Sequence, residues 1–303
     1  EGLVKGLLVL GVLWWAWVGY AWLTSVVDPE EGVVRLVIFA AMAALLIVSL
    51  SVPRVFEDEG LTFAIAYGLV RAGQLALFLV AARDAPSLRR SVWCGLVPST
   101  CLGVGLLVAA SFREGALQGA MWALALSLDM FGPYLFGSEG WKLVPRHFAE
   151  RHGLVLIIAL GESIVAIGVG APTELDGRVI FAAVLGVALA ASMWWAYFDV
   201  VALVAERRLT SAAVGTEQNE MARDSYSFLH FPMVAGIVLH LAERHSHEHV
   251  HEALEHEHAH SHDDMHHGHD HQAPAGTHSH LHRHEPTRHA HPHTPDEHHL
   301  HRH

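Results

Sequence analysis

Residues 147–170 read HFAERHGLVLIIALGESIVAIGVG, and this stretch decides the class of the chain. A charged, His-bearing opening (His147, Glu150, Arg151, His152) leads straight into an apolar run long enough to cross most of a bilayer. Glu162 sits near the middle of that run. A carboxylate at membrane depth costs several kcal/mol, so it is rarely there without a partner or a task.

Seven further apolar runs flank this one. The sequence predicts spanning helices over residues 2–25, 33–52, 61–82, 92–112, 115–137, 153–170, 179–205 and 225–242. The links are short and polar and carry breakers at Asp28-Pro29, Pro53 and Ala171-Pro172. The expected fold is therefore an all-α polytopic membrane protein, a bundle of about eight transmembrane helices over residues 1–242. Mean hydropathy, +0.30 over the 303 residues, understates this because the last sixty are almost wholly polar. No basic leader or small-residue cleavage site precedes the first run, so it does not read as a signal peptide, and opening on Glu1 suggests a missing N-terminal segment.

Lys and Arg crowd the odd-numbered loops: Arg83, Arg89 and Arg90, then Lys142, Arg146 and Arg151, then Arg207, Arg208 and Arg223. Loops two, four and six hold one each, Arg54, Arg113 and Arg178. The bias puts the odd loops in the cytoplasm and residues 147–152 at its face, with the C-terminal tail outside. The rings Trp14, Trp15, Trp17, Tyr20 and Trp22 suit an interface belt, the sharper alternative being a ring-lined portal. Cys94 and Cys101 read as small buried residues too far apart to bridge, ~10 Å along a helix axis.

Four charges fall inside the expected spans: Arg71, Asp129, Glu162 and Asp199. Asp199 lies near a helix end. Arg71, Asp129 and Glu162 are expected to form an intramembrane polar cluster, either as a proton or cation relay or as an Arg71–Glu162 ion pair that fixes packing. Asp129 is one turn from Gly132-Pro133, where the fifth helix should kink or break and expose backbone to a cavity. His147, Glu150, Arg151 and His152 would form the cytoplasmic mouth of helix six. Their order approaches a metalloprotease His-x-x-Glu-His, but Arg151 intrudes and the ligand spacing is lost. Gly161 and Gly168, seven apart, read as a stripe that lets a neighbouring helix pack near Glu162.

From His245 the character changes: 23 His fall in residues 245–303, alternating with Asp, Glu, Pro and Thr. Residues 243–303 are expected to be a disordered low-complexity tail. His247, His249, His251, His256, His258, His260 and His262 suit non-specific binding of Zn or another divalent transition metal. A tail read from a shifted frame is the alternative. No cofactor is required elsewhere. With 19 Lys+Arg against 31 Asp+Glu, nucleic acid is excluded as a partner, leaving the lipid bilayer and a small ion or solute.

Several stretches resemble the bacterial low temperature requirement protein A (LtrA) family. They are WWAWVGYAWLTSVVDPEEG at 14–32, RLVIFAAMAALLIVSLSVPRVFEDEG at 35–60, AYGLVRAGQL at 66–75, the block at 129–170 and DSYSFLHFPMVAGIVL at 224–239. The resemblance covers about residues 1–240 and implies a polytopic protein of the bacterial cytoplasmic membrane, named for a cold-growth trait and carrying no assigned activity. It marks Asp129, Glu150, Arg151 and Glu162 as motif positions, not as catalytic residues. Two departures are that a family-type opening helix with a Glu and an Asp is missing, and that the His tail replaces further hydrophobic segments.

Together these features favour a proton-coupled or cation-handling transporter or channel. The alternative is a membrane sensor or scaffold for low temperature or envelope stress, its buried charges structural. No nucleophile–base pair or metal-ligand set points to an enzyme.

Overall fold

The computed structural model describes residues 2–136, 140–169 and 177–241, and in the tail 246–251, 254–260, 278–284 and 287–292. Two compact units result, Glu1–Leu241 and Ala242–His303.

In the first unit a helix stands on each apolar run. They are α1 (Gly2–Leu23), α2 (Gly32–Ser51), α3 (Gly60–Ala81), α4 (Pro86–Ser91), α5 (Val97–Ala110), α6 (Gly115–Phe136), α7 (Pro145–Val169), α8 (Gly177–Ala196), α9 (Leu203–Ser211), α10 (Thr216–Ala222) and α11 (His230–Leu241). A 3-10 turn, Val52–Arg54, extends α2. Three junctions are π-helical: Val92–Leu96 joins α4 to α5, Tyr197–Ala202 joins α8 to α9, and Arg223–Phe228 follows α10. Pro98 and Pro232 account for two of them. Each lacks the N–H that would bond the carbonyl four residues back, at Cys94 and Phe228, and the local turn widens. The Tyr197–Ala202 junction contains no proline to explain it.

Gly132-Pro133 does not break its helix. Here α6 runs on to Phe136, because the proline falls in the last described turn, where only the Asp129 carbonyl loses its helical partner.

Among the described residues, five segments are long and apolar enough to cross a membrane: Gly2–Leu23, Gly32–Arg54, Gly60–Ala81, Pro86–Ala110 and Gly177–Ser211. Their outward faces are apolar. Leu36, Leu46 and Leu50 on α2, and Phe181, Val184 and Trp195 on α8, are all exposed. So wide an apolar surface is a liability in water and the normal outer coat in lipid.

Helix α1 is the hub. It packs on α3, α6, α7 and α11, while α2 packs on α3, α5 on α6, and α8 on α7. Its buried positions (Val9, Val12, Trp14, Trp15, Ala16, Val18, Ala21, Leu23) run all round the helix, as a central helix requires. Two of the expected belt residues, Trp14 and Trp15, are instead buried, and their bulk fills the space between α1, α7 and α11, while Trp17, Tyr20 and Trp22 are half-buried. Cys94 and Cys101 are free but exposed rather than buried.

In the second unit, Ser246–His251 pairs antiparallel with Thr287–Pro292, and Leu254–His260 with His278–His284. Strand pairs thus stand where composition alone predicts no fixed structure. The strict alternation of His with other residues is the period-two pattern of a strand. His247, His249, His251, His256, His258 and His260 lie on these strands, whereas His262 lies outside the described residues.

Candidate functional site

The site is built on one stripe of α3. Tyr67, Arg71 and Gln74 recur at helical spacing, so all three face the bundle interior, and all are essentially fully buried. Arg71 Nη2 donates to Asp129 Oδ1 on α6 at 2.9 Å and to Thr100 Oγ1 on α5 at 2.8 Å. The Tyr67 hydroxyl donates to the other carboxylate oxygen, Oδ2, at 3.2 Å. Only 2% of the Arg71 side chain and 8% of the Asp129 side chain are exposed, so the pair is screened by protein alone. A charge pair at this depth holds only where further hydrogen bonds satisfy it, and Thr100 and Tyr67 supply them.

The pair does not satisfy everything. Arg71 Nε, Gln74 Nε2 and Gln74 Oε1 are buried with no hydrogen-bond partner. Arg71 and Gln74 both line a cavity of about 80 Å³, with Trp15, Trp22, Phe78 and Trp141 as its aromatic walls. Two π junctions contribute to it through Gly95, Leu96, Arg223 and Ser227. Ser227 is the anchor on that side: its carbonyl accepts from Trp14 Nε1 at 2.8 Å, and its Oγ from Trp22 Nε1 at 3.2 Å.

Glu162 does not belong to this cluster. Asp129, not Glu162, is the partner of Arg71, and Glu162 occupies an exposed position on α7. The run around it is apolar on every side, so periodicity could not say which face turned inward. A β-carbon on Gly161 would meet nothing within 4 Å, so the expected close-approach stripe is not formed there. Gly168 lies on α7 where no side-chain surroundings are described. The close contact on this helix is instead at Gly153, where a β-carbon would stand 3.1 Å from the Phe198 ring. Asp199 is exposed.

The four mouth residues divide in two. His147 and Glu150 form an exposed pair at 3.2 Å. Arg151 turns inward, its guanidinium donating to the carbonyls of Ala21 at 3.2 Å and Thr24 at 3.4 Å, at the end of α1. Those carbonyls lack helical partners and carry the negative end of the helix dipole, so a cation suits them. His152 is buried in an aromatic cage of Trp14, Trp17, Phe148, Tyr226 and His230. Its Nδ1 faces the Phe148 carbonyl at 2.9 Å, which can only accept, so that nitrogen carries the proton. The same logic makes His230 Nδ1 a donor to the Ser225 carbonyl, and its Nε2 accepts from the Tyr197 hydroxyl at 2.7 Å.

Among the described residues, no group of three or more His, Cys, Asp or Glu is placed to hold a metal ion. Sequence reasoning passed over Tyr67, Gln74 and Thr100. The first two were signalled by their polar stripe with Arg71 in AYGLVRAGQL; Thr100 had no signal.

Comparison with known proteins places this architecture. An uncharacterized protein of Rhizobium meliloti (strain 1021) is 27% identical over 248 residues, which cover 77% of this chain and 59% of that protein. The chain thus spans less than two thirds of the length of that relative. No solved structure matches. The family model for bacterial low temperature requirement A protein (LtrA) matches residues 1–272, which takes in the whole helical unit and the start of the His-rich tail. An integral membrane protein with apolar helices around a buried Arg–Asp pair, this chain belongs to the LtrA family.

Proposed function

We propose that this protein is a proton-coupled transporter of a small solute, crossing the bacterial cytoplasmic membrane eight times, with odd-numbered loops in the cytoplasm and the tail outside. The observation that carries this is the Arg71–Asp129 pair, buried at the centre of the bundle beside a cavity. Intramembrane ionisable groups of this kind mark proton and solute paths. Protonating Asp129 removes the charge that Arg71 Nη2 bonds, which frees the guanidinium to reorganise next to the cavity. Proton coupling suits the pair better than direct cation binding, because Arg71 and Tyr67 already occupy both carboxylate oxygens. No cofactor or catalytic step is required, and the tail serves as an accessory binder of divalent metal.

A second reading, a membrane sensor or scaffold for low temperature or envelope stress, draws support from the hydrogen bonds with which Thr100 and Tyr67 brace the pair. One experiment separates the two. Arg71→Gln is combined with Asp129→Asn, which keeps shape and hydrogen bonding while removing both charges. Transport predicts a folded protein that no longer moves solute into proteoliposomes under a pH gradient. Flux equal to that of the parent would sink the transport reading. Full cold-growth function per molecule would favour the scaffold.

A further inference from the structure

We propose that the cavity beside Arg71 is a binding site for a small monovalent oxyanion, a carboxylate or an inorganic ion of similar shape, held by Arg71 Nε and the Gln74 amide. The inference rests on the transport reading for its biological sense and supplies that reading with a substrate class.

Three observations converge. First, the polar atoms without partners are concentrated here. Arg71 Nε, Gln74 Nε2 and Gln74 Oε1 belong to two residues that are each 1% exposed, and both residues line the one cavity. A buried polar group left unpaired is costly, and natural proteins keep few, so three such atoms on two residues that line one cavity call for a partner. Second, the chain makes room for the Gln74 amide. A β-carbon at Gly19 would fall on its nitrogen, and only glycine lets the side chain lie there. Third, among the described lining residues the charge has one sign. Arg71 and Arg223 are among the lining residues, whereas Asp129 and Asp224, the acids bonded to them, are not.

The chemistry follows from that set. Arg71 Nε–H and Gln74 Nε2–H are unpaired donors on two residues of the wall, suited to an oxygen-bearing anion. Gln74 Oε1 can accept from the hydroxyl of a protonated acid or from a water that accompanies the ion. The rings of Trp15, Trp22, Trp141 and Phe78 accommodate a short apolar end. Size sets the upper bound: at ~10–15 Å³ per water, a cavity of about 80 Å³ holds a handful of waters or one solute of a few heavy atoms.

The test is equilibrium binding, measured without flux, so it can fail independently of the transport reading. The full chain in nanodiscs is titrated calorimetrically with sodium acetate and with sodium nitrate. Acetamide serves as the neutral isostere, and sodium gluconate matches ionic strength. We expect saturable heat with acetate, nitrate or both, and none with acetamide or gluconate. Acetate alone would make the occupant an organic acid; a matching nitrate response would extend it to inorganic oxyanions. Gln74→Leu should weaken binding at least tenfold while melting no lower than the parent, since it removes two unpaired polar atoms. Gly19→Ala, which pushes the amide off its seat, should weaken it similarly. The proposal is overturned if the parent gives no saturable response, if acetamide matches acetate, or if both variants fold and bind the anions as the parent does.

Discussion

Severing the Arg71–Asp129 pair from one side should cost far more than removing it from both. Asp129→Leu leaves a guanidinium 1% exposed with Thr100 as its remaining bonded partner. Removing one partner of a buried pair costs about 3–5 kcal/mol, which at ~1.4 kcal/mol per decade shifts the folding equilibrium by about two to three and a half decades. Arg71→Met strands the carboxylate in the same way, apart from the bond from Tyr67. The double variant removes both charges; the Tyr67 hydroxyl loses its acceptor and Thr100 Oγ1 loses its donor. Tyr67 has the Val12 carbonyl at 3.5 Å, and Thr100 has a helix carbonyl one turn back. Each imperfectly rehoused hydroxyl costs about 1 kcal/mol, so the double variant should fall only ~0–2 kcal/mol below the parent. The two single losses then overshoot the double loss by several kcal/mol. Reversible denaturant unfolding of the four proteins in bicelles measures this cycle. Losses that add to within ~0.5 kcal/mol would show that the residues are not energetically coupled and would refute the assignment.

Three more outcomes follow from the geometry. Arg151→Ala should lose about 1–2 kcal/mol of stability by stripping two hydrogen bonds from the end of α1, and Arg151→Lys should recover only part because it lacks the planar fork; thermal melts of both check this. Gly161→Ala should gain ~0.5–1 kcal/mol from helix propensity, since its β-carbon enters open space, whereas Gly153→Ala should lose that gain against the Phe198 ring; the order of the two melting points decides it. Deleting residues 245–303 should abolish zinc binding measured by calorimetry, and the parent's affinity should fall as pH drops below about 6, because protonated imidazole cannot ligate.

The helices were legible because lipid demands long apolar runs and proline and glycine punctuate them. Arg71 and Asp129 stood out for a related reason, since charge is rare where it is costly. What sequence could not supply was facing. The run around Glu162 is apolar all round, so nothing in it says which side meets the bundle, and the carboxylate that looked central lies on an exposed face. The tryptophans of α1 misled in the opposite sense. Aromatic residues near a helix end serve an interface and an interior equally well, and only the packing of α7 and α11 against α1 decides between them. Gln74 was readable in principle, as the third member of the Tyr67–Arg71 stripe, but an amide carries no charge to draw attention to it.

The bond from Trp14 to the Ser227 carbonyl spans 213 residues of chain, and this sets a timetable for biogenesis. At ~5–20 residues per second of synthesis, α1 waits about 10–40 s before its acceptor exists. Asp129, 58 residues after Arg71, arrives within ~3–12 s at the same rate. The helix that ends as the hub thus emerges before every helix it packs on and is among the last to be completed. Until the segment bearing Ser227 is inserted, its indole N–H groups are open to substitutes such as lipid headgroups, water or a membrane chaperone.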